Sequence, residues 1–129
     1  MKKINLLITC AGGTLGKNLI KSITTSKTFD YYIVGTDCNN SEINCSFINR
    51  FYNVPKPDDD LYVEVIHEIA TNENINYILP GNDQEVMALS KEMSFFQSKS
   101  IDIIAPKHEV LDRIKNKAIT YDTLQSLGV

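Results

Sequence analysis

The segment Thr9-Cys10-Ala11-Gly12-Gly13-Thr14-Leu15-Gly16 joins an apolar run to a helical pattern. An anion-binding turn needs that placement, because the first amides of a helix lack intrahelical acceptors and the helix dipole favours negative charge. Gly13 would let a ligand approach the backbone, and Gly16 would let the helix lie against the strand. Cys10 adjoins the helix start, where a thiol pKa can be lowered. A nucleophile there would need a base, and none is placed beside it, so Cys10 reads as a small core cysteine. The three cysteines, Cys10, Cys38 and Cys45, are an odd number without framework spacing, and His67 and His108 lie far from them. Reduced thiols and no metal site are expected.

Asp37 follows the turn by roughly twenty positions, the place of a ribose-binding acid in the dinucleotide fingerprint. Ala11, however, occupies the first glycine of that fingerprint. Asp37 is therefore either a ligand group or a turn-former. The turn also resembles the Thr-Gly-x-x-Gly-x-x-Gly pattern of short-chain dehydrogenases, with Cys10 in place of a glycine. A Tyr-x-x-x-Lys spacing occurs at Tyr52 and Lys56, but Pro55 lies inside it and the segment reads as a strand end, so both side chains cannot share one helix face.

The elements that must position these residues follow from periodicity. Lys3 to Thr9 is a nearly continuous apolar run, as in a strand covered on both faces. Leu15, Leu19, Ile20 and Ile23 fall at helical spacing. Tyr31 to Thr36 is a second strand, Asn39 to Phe47 a turn with a short helical piece, and Phe51 to Val54 a third strand. After Pro55, Pro57 and the acidic triplet Asp58 to Asp60, a helix buries Tyr62, Val65, Ile66, Ile69 and Ala70. Ile75 to Leu79 is a fourth strand. Pro80-Gly81-Asn82-Asp83 turns into one helix carrying Val86, Leu89, Met93 and Phe96 to near Lys99, with Met87 and Met93 as core filler. Ile101 to Ala105 is a fifth strand. Val110, Leu111 and Ile114 mark a further helix, and Tyr121, Leu124 and Leu127 a last one.

Strands alternating with helical crossovers predict a doubly wound α/β sandwich, Rossmann-like, around a mostly parallel five-stranded sheet. Ligands bind such sheets outside the carboxyl ends of the strands where the order reverses. Three segments should meet there: Thr9 to Gly16, Asp37 to Asn40 and Pro80 to Glu85.

The 129 residues suit one domain, 1–129, with 43% hydrophobic content, enough to build a core. With 13 basic against 16 acidic residues, net charge −3, nucleic acid is not an expected partner. The run Ile4 to Cys10 is too short for a leader and no stretch is long enough to span a membrane, so a cytoplasmic protein is expected. Gly128 reads as a helix cap with the sequence ending at Val129, which predicts a shortened chain or a split gene.

The pieces ILITCAGGTLGKNLIKSI, YYIVGTDCNN, FYNVPKPDDD, INYILPGNDQEVMALS and PKHEVLDRIKNKAITYDTLQSLGV, in that order, resemble the amino-terminal pre-ATP-grasp domain of ATP-grasp ligases, especially the carbamoyl-phosphate-synthase large-subunit-like group. The resemblance covers nearly the whole chain. It implies a ligase in which ATP activates a carboxylate or bicarbonate as an acyl phosphate and an amine displaces the phosphate. ATP and Mg would be held by an ATP-grasp domain expected after residue 129, in cis or from a split gene, and this chain would be inactive alone. It further implies that Gly12, Gly13 and Thr14 offer amides to an anionic substrate and that Asp83 and Glu85 face the same pocket and hold a substrate ammonium. Lys117 would reach an ATP phosphate, although Asn116 stands where the family commonly has Asp. The competing readings are an NAD(P)-binding oxidoreductase or sensor domain, and a small-ligand or protein interaction module.

Overall fold

The computed structural model describes residues 3–25, 29–39 and 48–104. The central strand β1 (Lys3–Ile8) pairs in parallel with β2 (Asp30–Asp37) from Lys3↔Asp30 to Ile8↔Gly35. On its other side it pairs with β4 (Tyr77–Leu79) from Leu6↔Tyr77 to Ile8↔Leu79. Adding β3 (Arg50–Asn53) outside β2 and β5 (Asp102–Ile103) outside β4 gives the order β3-β2-β1-β4-β5, all parallel. The strand order reverses between β1 and β4, and this is the predicted doubly wound class.

Alternation along β1 divides the core into two layers. Ile4, Leu6 and Ile8 pack with Ile20 and Ile23 of α1 (Thr14–Thr25). Leu7 faces the opposite layer, with Tyr62, Ile66, Ile69 and Ala70 of α2 (Tyr62–Asn72), Leu89 of α3 (Asp83–Ser90) and Phe96 of α4 (Met93–Ser98). Leu6, Leu7 and Ile8 are fully buried, which explains the uninterrupted apolar run; each such side chain stabilises the fold by about 1.5–3 kcal/mol.

Three expectations change. The single helix from Asp83 towards Lys99 is two: the Glu92 N–H donates to the Leu89 carbonyl, tightening the turn at Lys91 and Glu92, and Phe96 N–H then bonds Glu92 O to start α4. Met87 is 65% exposed rather than core, because the buried side of α3 is defined by Glu85 and Leu89, one turn apart, and Met87 lies between them on the far side. Leu15 is exposed, and Gly16 takes the buried place in the first turn of α1, where a Cβ would overlap the Cys10 carbonyl. Strand limits shift by one or two residues; β5, for example, is Asp102–Ile103. The helical piece before Phe47, the helices after Pro106, Cys45, His108, Asn116, Lys117 and the Gly128 cap lie outside the described residues.

Candidate functional site

The carboxyl ends of β1, β2 and β4 converge, and hydrogen bonds between distant segments hold them. Ala11 N–H donates to Thr36 O at 3.0 Å, and Gly12 N–H donates to Asp37 Oδ2 at 2.9 Å. Across the switch point Thr9 N–H donates to Leu79 O at 3.1 Å, and Gly81 N–H donates to Thr9 Oγ1 at 3.0 Å. Gly81 packs so closely that a Cβ there would overlap the Thr9 carbonyl oxygen. The segments containing Thr9 to Gly16, Asp37 to Asn39 and Pro80 to Glu85 therefore form one site rim.

Their side chains differ in what they leave open. Asp37 is 4% exposed and its second oxygen accepts the Asn39 N–H at 3.0 Å, so both oxygens bind the protein's own amides. Gly12 N–H is engaged by Asp37, and Gly13 N–H donates to Cys10 O at 2.9 Å to close the turn. The space a Gly13 side chain would fill holds Cys10 Sγ, 2.9 Å away, so this glycine admits the chain's own thiol instead of a ligand. Thr14 and Leu15 start α1 exposed, at the positions where helix amides lack intrahelical acceptors.

Cys10 has φ 50, the left-handed region that a glycine at this place in the dehydrogenase-like pattern would adopt freely. Burial pushes its thiol up; the Asn82 side chain opposes this, and the carboxylates of Glu85 and Asp37 add to it. The raised thiol agrees with a small packed cysteine and not with an activated nucleophile: half-burial outweighs the adjacent helix start.

Asn82 caps α3, its Oδ1 accepting the Glu85 N–H at 2.9 Å, half of a capping box. Asp83 is exposed, whereas Glu85 is 2% exposed, so the two carboxylates do not line a common surface. Glu85 points under the turn towards Thr9 and Tyr62. Burial raises its pKa, the Thr9 and Tyr62 side chains oppose the rise, Asp37 adds to it, and the Gly81 backbone opposes it. Tyr62 is completely buried and its phenol is pushed far up, mainly by desolvation and next by Glu85. Sequence reading placed Thr9 in the glycine segment but missed Thr36 and Tyr62 as site components. The available signal was polar atoms at strand-end and helix-start positions that periodicity assigns to the core.

Among the described residues no group of three or more His, Cys, Asp or Glu is arranged to hold a metal ion, and no helix is long and apolar enough to cross a membrane.

A structure of dTDP-glucose 4,6-dehydratase from Bacillus anthracis in complex with NAD is similar at TM-score 0.53 and 15% identity, covering 79% of this chain and 36% of that one. ADP-L-glycero-D-manno-heptose-6-epimerase from Helicobacter pylori is similar at TM-score 0.55 and 14% identity, covering 81% and 39%. At such identities the likeness establishes the Rossmann-like fold. This chain spans less than two-fifths of those structures. No curated protein matches the sequence. The family model for the PylC-like N-terminal domain matches residues 6–104, and the chain therefore belongs to that family, a pre-ATP-grasp domain of ATP-grasp ligases.

Proposed function

We propose that this domain forms the acceptor-side wall of an ATP-grasp ligase of the carbamoyl-phosphate-synthase large-subunit-like kind, cytoplasmic, that activates a carboxylate or bicarbonate as an acyl phosphate and joins it to an amine. ATP and Mg belong, in this reading, to an ATP-grasp region in cis or separately encoded, with Lys117 contributing a phosphate contact. The first turn of α1 at Thr14 receives the anionic acyl group, because helix amides there favour negative charge. Asp83, exposed at the start of α3, faces the amine. Asp37, Gly12 and Gly13 act by fixing the turn, and Glu85 lies under it as part of the floor.

One observation carries the choice over a dinucleotide-binding domain. The Asp37 carboxylate, which that alternative needs for a ribose, is buried and satisfied by the amides of Gly12 and Asn39. The test is ADP release by this chain together with its ATP-grasp region, scanned over amines and carboxylates. An amine-dependent signal whose KM rises about tenfold in Asp83→Asn, with kcat retained, supports the proposal. Saturable NAD or NADP binding by the chain, weakened in Asp37→Ala, refutes it in favour of the oxidoreductase reading.

A further inference from the structure

We infer that a cavity at the amino end of β2 binds a small organic ammonium with an apolar body, held by Asp30 and the carboxyl end of α1. The strands are parallel, so this end of the sheet lies opposite the rim built around the glycine turn, and the inference does not depend on the function proposed above.

The cavity measures about 310 Å³, enough for a small molecule. α1 ends at Thr25 and β2 begins at Asp30, so the last turn of the helix and the first residues of the strand supply its walls. Its floor belongs to the core layer under α1: Ile23 is completely buried, Ile33 is 2% exposed and Phe29 is 9% exposed. The rings of Phe29 and Tyr31 stand edge to face with centroids 6.2 Å apart and add aromatic surface. A ligand body that fills this lining is apolar.

The polar groups of the cavity favour positive charge. Asp30 is exposed, and its carboxylate has no ion pair or hydrogen bond among the described residues. α1 carries no basic residue in its last turn, so the partial negative charge of its carboxyl end is not neutralised from within the helix. Thr24 Oγ1 donates to Ile20 O at 2.8 Å, which uses its proton and leaves it an acceptor. None of the lining residues is Lys, Arg or His. Asn49 supplies the one side-chain amide donor. Its Oδ1 accepts the Ile33 N–H at 2.8 Å while its own N–H donates to Ile33 O at 2.8 Å, which fixes the side chain and leaves Nδ2 for a ligand oxygen. An anion would meet that single donor against a carboxylate and a helix carboxyl end; an ammonium meets both as attraction.

The test is an amide NMR titration of the 129-residue chain with benzylamine, using benzyl alcohol and benzoate as neutral and charge-reversed counterparts of the same ring. Benzylamine should shift the Ile33 and Asn49 amides and the Asn49 side-chain NH2 along a saturating curve, with Kd about 1 mM for a ligand of this size. Asp30→Asn, a change at an exposed side chain, should raise that Kd about threefold while the spectrum stays dispersed. Shifts that remain linear to about 10 mM overturn the inference. So do equal binding of benzyl alcohol or benzoate, an unmoved Kd in Asp30→Asn, or saturating shifts at Thr14 and Asp83 in place of Ile33 and Asn49.

Discussion

Two glutamates, each set among tyrosines on the α2 side of the sheet, are driven in opposite directions. Glu73 ends α2, where the helix dipole disfavours a carboxylate, yet its pKa is lowered. Tyr32 donates to its Oε2 at 2.6 Å, Tyr52 donates to its Oε1 at 2.9 Å, and Arg50 Nη1 stands 3.6 Å away. Glu85 sits in the first turn of α3, where the dipole favours a carboxylate, yet its pKa is raised. A helix end contributes about 0.3–1 kcal/mol, whereas hydrogen bonds to a charged group contribute about 1.5–3 kcal/mol and burial without them costs several. The local donors decide the state of each group. Glu73 has two formed phenol bonds and a guanidinium at its side; Glu85 has burial and another carboxylate nearby.

The comparison can be broken most severely at Gly81. Gly81→Ala forces a Cβ into the Thr9 carbonyl, which cannot yield because it belongs to the central strand's end, so a loss of about 3 kcal/mol is expected in urea unfolding. A loss below about 1 kcal/mol would mean that β1 and β4 are not held as tightly as this geometry requires.

Glu73→Gln should cost about 2 kcal/mol near neutral pH, because the charge-assisted bonds from both tyrosines weaken. The pH dependence has a definite sign. A lowered folded pKa stabilises above the ordinary 4.5 and that stabilisation disappears as pH falls through the folded value; thermal melts of Glu73→Gln should therefore lose part of the acid-side slope.

Glu85→Gln should change stability by less than about 1 kcal/mol at low pH, since the amide mimics the neutral acid. With a raised folded pKa, the stabilisation is present below 4.5 and is lost as pH rises through the folded value. Melts of the variant should accordingly decline less towards higher pH than the wild type. A parallel decline would make Glu85 a bystander and dissolve the contrast with Glu73.

The smallest effect belongs to Cys10→Gly. Relieving a left-handed φ is worth about 1 kcal/mol and is offset by losing the Sγ contact at Gly13, so the melting midpoint should move by only a few degrees. A large loss would show that the thiol itself sharpens the turn.

Much of the scaffold was legible from periodicity. The run Ile4 to Ile8 identified a strand buried on both faces, and the glycines placed the first crossover. The break between α3 and α4 was not legible, because Leu89 and Phe96 are seven positions apart and fit one continuous helix as well as two short ones. The convergence of Thr9, Asp37 and Gly81 was legible through the strand-order rule. The engagement of the Gly12 and Gly13 amides was not, since a glycine turn looks the same in sequence whether its N–H groups face a ligand or the protein.

By itself the sequence determined the order of strands and helices and that the first turn, Asp37 and the Pro80-to-Glu85 turn share one edge of the sheet, because side-chain period and backbone freedom are local properties. Only the tertiary structure decided that Glu73 is held as a carboxylate and Glu85 is pressed towards its acid form. Charge state depends on donors, burial and neighbouring charge, and here those arrive from Tyr32 and Tyr52 in one case and from Thr9, Asp37 and Tyr62 in the other, at separations that no local pattern records.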